Sequence, residues 1–587
     1  MSVSAVDYET YYDSECSITK GLENYLNHPK FDAYMVSIYS DDGFAWVGPP
    51  EDAPWDRLEG DTILSHNRNF DEYIHEYLVT TEKIPPTNFG EWHCTADMSS
   101  HHGWGRSLKE ALKNSVGVLM KKEIRDAMKG RGFDELEPDE KKDLATYALY
   151  DSKGCLTLWN EGEKDWSELE RKLSRETSRM CRQGLPIDTG VLDSSVSQLK
   201  NVLADALDTL PWATEKKGAL SPKKFGEWCR KEGMEPPAST AKTDSLTLRW
   251  MEEHEKGAQV LEAMHTLRGA NALFSKMQKM KNATRESDNR LPFPCKYFGG
   301  HTGRDSGGSD SERGDSFNAH NFPRGELYGV NLRSCIAAPA GKKLLIADLA
   351  QIEARCAMWL AGERDMLDEA AKGVDWYEAM ARSFGLYSDP RPLKETNPDL
   401  RHTMKMQVLG CQFRMGVGKF ASVSGVEYEE AQSMVRMFRA NVPNLVKLWN
   451  RLEREMRSAG REEDGLYTVQ LPSGRIMRYH DVQTQHGLSA MISKHGRRIR
   501  EGFWSGKIME NITQAFARDV FMDRVIALVE GGHNVVLRVH DEVLIETDQD
   551  NAKDAAKDVH HIMTTPPDWC TSLPLGTEVE IVERYKK

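Results

Sequence analysis

The chain has 587 residues, with 39% hydrophobic and 29% charged residues, ten cysteines and a formal net charge of −14. That length exceeds what one core holds and predicts about three to five domains. No run of about 18 apolar residues occurs, so no membrane-spanning helix is expected, and the Met1–Asp7 start lacks a signal peptide's basic-then-apolar pattern.

Residues 1–160 read as α/β, strands first and helices after. Val6-Asp7-Tyr8-Glu9-Thr10 places two acids at i and i+2, on one face of a strand. Asn67 to Asp71 offers an amide and an acid one helical turn apart, and Tyr147 and Asp151 repeat that spacing. Asp7, Glu9, Asp71 and Asp151 with the Tyr147 phenol suit metal-assisted hydrolysis of a phosphodiester: the acids hold two cations and the tyrosine orients the water. Scattered surface acids are the alternative. The order Asp-x-Glu, Asn-x-x-Phe-Asp, Tyr-x-x-x-Asp resembles that of proofreading 3′–5′ exonucleases of the ribonuclease H-like fold.

Trp166 to about Lys281 is mostly helical, with a long amphipathic stretch at Leu192–Leu210. A Gly/Ser/Asp-rich passage, Gly299–Gly314, reads as a loop; it carries Arg304 and runs into the polar segment Asn318–Arg324. Residues 361 to about 495 read as mainly helical again, followed by a helix around 508–530 and a strand–turn–strand at 535–546. The cysteines form no Cys-x-x-Cys, so reduced cytosolic thiols are expected rather than a zinc ribbon. The acidic balance leaves room for nucleic-acid binding through cations gathered along one channel. Lys276, Lys279, Lys281 and Arg285 make one basic cluster, and Arg497, Arg498 and Arg500 another; a solvated helix face is the alternative for each.

Two apolar, β-branched runs each deliver a carboxylate. Leu344-Leu345-Ile346-Ala347 leads to Asp348, and Val535-Val536-Leu537-Arg538-Val539-His540 leads to Asp541. Both runs read as buried strands. If folding unites the two acids, they hold a pair of Mg²⁺ ions for phosphoryl transfer at a nucleotide. Between them, Arg401 to Phe413 reads as a helix whose positions 401, 405, 409 and 413 drift only about 40° per step and share a broad face. Arg401 and Lys405 on that face can grip a triphosphate, and Leu409 and Phe413 can cover base and sugar.

Taken together, these motifs resemble those of family A DNA polymerases, similar to DNA polymerase I and closest in style to phage replicative versions. Asp348-Leu349-Ala350-Gln351-Ile352-Glu353-Ala354-Arg355 matches the first palm motif, 401–413 the fingers helix, and Val539-His540-Asp541-Glu542 the last palm motif. Thr302-Gly303-Arg304 resembles the arginine-bearing motif that meets primer and nucleotide. Glu510 to Ala515 resembles the helix that touches template and primer in the minor groove. The resemblance implies a ribonuclease H-like exonuclease domain over 1–164, then a right hand: thumb 165–290, palm 291–360 and 500–587, fingers 361–499.

The same resemblance implies roles. Asp348 and Asp541 would ligate two Mg²⁺ ions, with Mn²⁺ a possible substitute, and Glu542 would be a secondary acid. Arg401 and Lys405 would neutralise the triphosphate, Lys405 also protonating the leaving group. Glu353 would exclude a ribose hydroxyl by steric clash. Gln351 would join Glu353 in the nucleotide site, while Arg304, Gln514 and His540 would contact the primer end. Asp7, Glu9, Asp71 and Asp151 would hold the exonuclease metals. Primer–template DNA and dNTPs would be the partners, with a helicase, primase and single-strand-binding protein of phage or host beside them, in the cytoplasm of an infected bacterium. Because the exonuclease motif begins at Asp7, no 5′-nuclease domain is expected.

There are departures from the family pattern. Leu409 stands where an aromatic is usual, Phe413 for Tyr, Arg414 for Gly, and Leu349-Ala350 for Tyr-Ser. A missing stacking surface is worth roughly 1–3 kcal/mol per base, so slower or altered nucleotide selection is expected, with no metal ligand lost. A repair or translesion polymerase would carry the same palm motifs. A polymerase-derived DNA-binding protein with only exonuclease activity is the third reading.

Overall fold

A computed structural model describes residues 2–18, 21–119, 127–213, 218–307, 318–494 and 496–586. The glycine-rich passage beyond residue 307 lies outside the described residues. The chain divides into two compact units. One comprises Met1–Met180, Cys295–Gly307 and Leu345–Ile581; the other comprises Cys181–Pro294, Gly308–Leu344 and Val582–Lys587. The architecture is α/β throughout the first unit.

Its first sheet has five strands: β1 (Val3–Thr10), β2 (Ala33–Ser40), β3 (Ala45–Gly48), β4 (Thr62–Ser65) and β5 (Trp92–Cys94), in the order β3-β2-β1-β4-β5. β1 runs antiparallel to β2 and parallel to β4. This order, with the antiparallel pair on one side of a central strand and the parallel pair on the other, is the ribonuclease H-like arrangement. β1 alternates Val6 and Tyr8 into a core with Ile38, Ile63 and Ile74, while Asp7 and Glu9 lie half-buried on the opposite face. Two helices complete that layer. α1 (Arg68–Thr80) follows β4 directly. α2 (Pro138–Gly162) starts with Pro at its first position, and the Glu140 carboxylate accepts the Glu137 N–H at 3.0 Å, a favourable helix start. Ser37 on β2 donates to the Ala148 carbonyl at 2.8 Å, fastening α2 to the sheet.

A second sheet is built from distant segments. It contains β6 (Lys342–Leu349), β11 (Asn534–Val539), β12 (Glu542–Asp548) and β13 (Thr577–Val582), in the order β11-β12-β6-β13. The β11–β12 hairpin turns on two residues, His540 and Asp541, between the paired Val539 and Glu542. Under it lies the long helix Ser505–Glu530, with Phe516, Val520 and Phe521 fully buried.

Residues 467 to about 495 depart from the expected mainly helical reading, in a segment that runs on to 502. That segment forms a four-stranded antiparallel sheet of β7 (Tyr467–Gln470), β8 (Ile476–Gln483), β9 (Ser489–Lys494) and β10 (Arg497–Gly502). The reason is local: Pro472-Ser473-Gly474 makes a tight turn, closed by Leu471 N–H to the Arg475 carbonyl at 2.8 Å. Met477 and Tyr479 then alternate inward along β8, a period of two that suits a strand. The Arg497–Arg500 run is therefore on a strand rather than a helix face. Arg498 donates to the Gly103 carbonyl at 2.8 Å.

The second unit is helical. Thr189–Asp208 and Glu255–Ala283 pack on each other, and Lys281 pairs with Asp193 at 2.6 Å. Of the basic cluster there, Arg285 pairs with Asp288 at 2.6 Å and Lys276 donates to the Asn321 carbonyl at 3.2 Å. All ten cysteines are unbridged. No described helix is long and apolar enough to cross a membrane.

Candidate active sites

Asp348 sits next to the end of β6, and Asp541 lies in the β11–β12 turn. The Leu349 N–H donates to the Asp541 carbonyl at 3.0 Å, and the Thr577 hydroxyl donates to the Asp348 carbonyl at 2.8 Å. These hydrogen bonds thus hold both acids at one end of the sheet's strands. The Asp541 carboxyl is pushed up to about 6, first by burial and then by the negative charge of Asp348. Two carboxylates in one poorly solvated place raise each other's cost of ionisation, which a bound cation relieves. The donor set therefore fits a divalent metal with oxygen ligands.

Arg304 and Glu353 complete this neighbourhood. Their side chains form an ion pair, and both act electrostatically on Asp541. Glu353 stands in the first turn of the helix Ile352–Ala361, behind Gln351, whose φ is +48°. Arg355 pins this corner through the Ala350 carbonyl at 2.9 Å and the Pro574 carbonyl at 3.1 Å. The Glu510 carboxyl is raised by burial and by Glu353, and Gln514 donates to it at 3.4 Å. Glu542 is buried at the start of β12, and His540 adopts φ +58° in the turn.

The Arg401 segment is a helix over Pro398–Cys411, capped by the Asn397 side chain, which accepts the Leu400 N–H at 3.0 Å. It stops two residues before Phe413, because the chain turns left-handed at Arg414, φ +59°. Phe413 is thus off the helix, a correction to the expected run. Met404, Gln407 and Val408 face the core. Arg401 is half-buried, while Lys405 and Leu409 are exposed on the opposite face, Leu409 to 56%. Arg401 pairs with Asp375 at 2.9 Å.

A buried ionic network, which sequence reasoning missed, braces the corner that carries Arg304. Glu170 pairs with Arg518 and accepts from the Tyr297 hydroxyl at 2.5 Å. Arg475 donates to Asp519 at 2.9 Å and to the Thr302 carbonyl at 3.1 Å. Burial opposes ionisation of Glu170, but the Arg518 charge and its hydrogen bond, with smaller help from His101 and Arg475, together outweigh it and hold the carboxyl below its usual range. The members are distant in sequence and no local period marks them.

The second group of acids gathers on the five-stranded sheet. The Tyr8 N–H, between Asp7 and Glu9, donates to Asp71 Oδ1 at 3.2 Å. Asp71 is buried, and burial, with Asp151 adding to it, pushes its carboxyl up to about 7. Tyr147 and Asp151 stand one turn apart on α2. The Tyr147 hydroxyl is raised by burial first, then by Asp151, Glu9 and Asp7. All five side chains share one electrostatic neighbourhood. Among the described residues, though, no three acid, His or Cys side chains stand close enough to clasp a cation as they are.

Residues 167–587 match the model of DNA polymerase family A. The chain belongs to that family. The family A polymerase described here is 23% identical to the DNA polymerase of Bacillus phage SP02, over the full length of both chains. It is 24% identical to the thermostable DNA polymerase I of Thermus filiformis, matching 71% of its own length but only 47% of that protein. The fold is also that of the POL domain of Pol1 from M. smegmatis, solved in complex with DNA primer-template and dNTP. That likeness has a TM-score of 0.69 at 16% identity and covers all of this chain and 95% of the other. The family match begins at residue 167, so the acids of the first sheet lie outside it.

Proposed function

We propose that this polymerase extends a DNA primer on a template by transferring nucleotides from dNTPs, and trims the primer 3′ end with its first sheet. The observation that carries the first half is the pairing of the two acid-bearing segments, with the Leu349 N–H, next to Asp348, donating to the Asp541 carbonyl at 3.0 Å, and with Asp348 close enough to raise the Asp541 carboxyl. Divalent cations, Mg²⁺ or Mn²⁺, would supply the charge stabilisation that phosphoryl transfer needs. Asp348 and Asp541 would hold them, with Glu542 behind. Arg401 and Lys405 would bind the triphosphate, and Lys405, the more exposed, would deliver a proton to the departing pyrophosphate. Leu409 and Phe413 would cover the base and sugar. Glu353, with Gln351 beside it, would close the space a 2′-hydroxyl needs, and Arg304, Gln514 and His540 would hold the primer end.

In the trimming site, Asp7, Glu9, Asp71 and Asp151 would hold cations and Tyr147 would orient the attacking water. Supporting this are the convergence of β1, α1 and α2 on one electrostatic neighbourhood and the raised carboxyl of Asp71, which makes a cation the natural counter-charge. Residues 1–164 would be the exonuclease domain, 165–290 the thumb, 291–360 with 500–587 the palm, and 361–499 the fingers. The full-length match to a phage polymerase supports phage genome replication in the host cytoplasm, with host or phage helicase, primase and single-strand-binding protein as partners.

Primer extension with Mg²⁺ tests the reading. Asp541→Ala should abolish extension and leave 3′ trimming, and Asp7→Ala should do the reverse. Extension that survives Asp541→Ala ends the assignment.

A further inference from the structure

Arg401 is held in place by a three-residue bracket, Asp375-Trp376-Tyr377, at the start of the helix Trp376–Ser383. Asp375 Oδ1 accepts the N–H groups of Tyr377 at 3.2 Å and Glu378 at 3.3 Å, which fixes the carboxylate on the helix end. That carboxylate takes one edge of the Arg401 guanidinium, Nε at 3.2 Å and Nη2 at 2.9 Å. The face of the same guanidinium lies 5.0 Å from the Tyr377 ring centre. Trp376, fully buried, sits under the Arg355 guanidinium at 5.5 Å, and Arg355 pins the corner that follows Asp348. One bracket therefore touches both the strand-end acid motif and the phosphate-binding helix.

A guanidinium is a rigid fork with two usable edges. With the Nε edge on Asp375 and a face on Tyr377, the remaining Nη1 edge is the one left to meet a phosphate. We propose that Asp375 is a positioning residue for nucleotide binding, presenting Arg401 to the triphosphate in a fixed orientation. This rests on the reading of Arg401 as a triphosphate ligand. A pre-ordered arginine loses less rotamer freedom when the nucleotide arrives, so the effect belongs to affinity rather than to the chemical step.

Steady-state primer extension with varied dNTP, and inhibition by pyrophosphate, read this out. Asp375→Ala should raise the KM for dNTP about tenfold, with a parallel loss of pyrophosphate affinity and a much smaller change in kcat. The KM for primer–template should stay put. Asp375→Asn, which keeps a helix-capping oxygen but not the charge, should fall between. In an Arg401→Ala background, Asp375→Ala should add nothing further to the KM for dNTP. A thermal melt checks that each variant is folded. If Asp375→Ala leaves the KM for dNTP unchanged, or raises it equally without Arg401, Asp375 does not act through that arginine and the inference fails. If Arg401→Ala itself leaves that KM unchanged while the wild type extends primers, the ligand role of Arg401 is what has failed, and this inference falls with it.

Discussion

The Leu349 N–H reaches the Asp541 carbonyl at 3.0 Å, so the residue after one candidate acid is bonded to the peptide of the other. The backbones that carry Asp348 and Asp541 are therefore placed by sheet geometry. What remains adjustable is their rotamers and their charge.

That charge has a consequence for stability. The Asp541 carboxyl is pushed up to about 6 by burial and by Asp348, against about 3.9 in an unfolded chain. Between those values the folded protein keeps a proton that the unfolded chain has released. Its contribution is thus fully present below about pH 4 and is lost as pH rises through about 6. In metal-free buffer, melting temperature should fall from pH 5 to pH 7.5 more steeply for the wild type than for Asp541→Asn. Millimolar Mg²⁺ at pH 7.5 should recover the difference. Parallel slopes for the two proteins would falsify the account.

Glu170 and Arg518 are a fully buried pair, with side chains 6% and 1% exposed. Removing one partner of a buried pair costs about 3–5 kcal/mol where the other charge is left uncompensated, whereas replacing both with apolar groups is often neutral. Arg518 keeps the Asp519 carboxylate at 3.2 Å, so Glu170→Gln should lower stability in urea denaturation by up to about 3 kcal/mol. Glu170→Leu combined with Arg518→Met should recover most of it. Because Arg475 in the same network holds the Thr302 carbonyl next to Arg304, Glu170→Gln should also weaken primer binding before it unfolds the chain.

Much of this was legible in the sequence, because the signals are local. The β-branched runs ending in Asp348 and Asp541, the Asp7–Glu9 alternation, and the one-turn spacing of Tyr147 and Asp151 each depend on a few neighbouring residues. The partners that finish the sites are not local. Asp375 meets Arg401 across 26 positions and Glu170 meets Arg518 across 348, and no period announces either. The strands within 467–495 do not show in the sequence because polar residues such as Arg478, His480 and Gln483 along β8 mask the alternation. Backbone handedness was also hidden: Gln351, Arg414 and His540 all have positive φ, and nothing in a non-glycine letter marks that.

Arg414 shows what such a backbone costs. Where the resemblance to the fingers motif implies a glycine, this chain has a left-handed backbone, φ +59°, with a long side chain. That side chain donates to the Ser505 hydroxyl and to Glu453 at 3.4 Å, next to the start of the helix Ser505–Glu530. Arg414→Ala keeps the strain and loses the contacts. Arg414→Gly loses the same contacts and releases the strain, about 1 kcal/mol. In denaturant melts the glycine variant should therefore be the more stable of the two by that amount. Equal stabilities would mean that the left-handed turn is relaxed at this position.

Leu409 tests the nucleotide site from the other side. It is 56% exposed on the helix face that carries Arg401 and Lys405, where an incoming base would lie under the proposed function. A branched aliphatic side chain there covers a base without stacking on it, whereas a flat ring gains roughly 1–3 kcal/mol per base. Because the position is open, Leu409→Phe needs no repacking of the core at Met404 and Val408 behind it, and the fold should tolerate it. Single-turnover incorporation should then speed up by about fivefold or more, with the larger gain for purines because they offer more stacking area. If the rate does not rise while the Kd for dNTP also stays fixed, the base does not pass over this residue and the face must be assigned to the template strand instead.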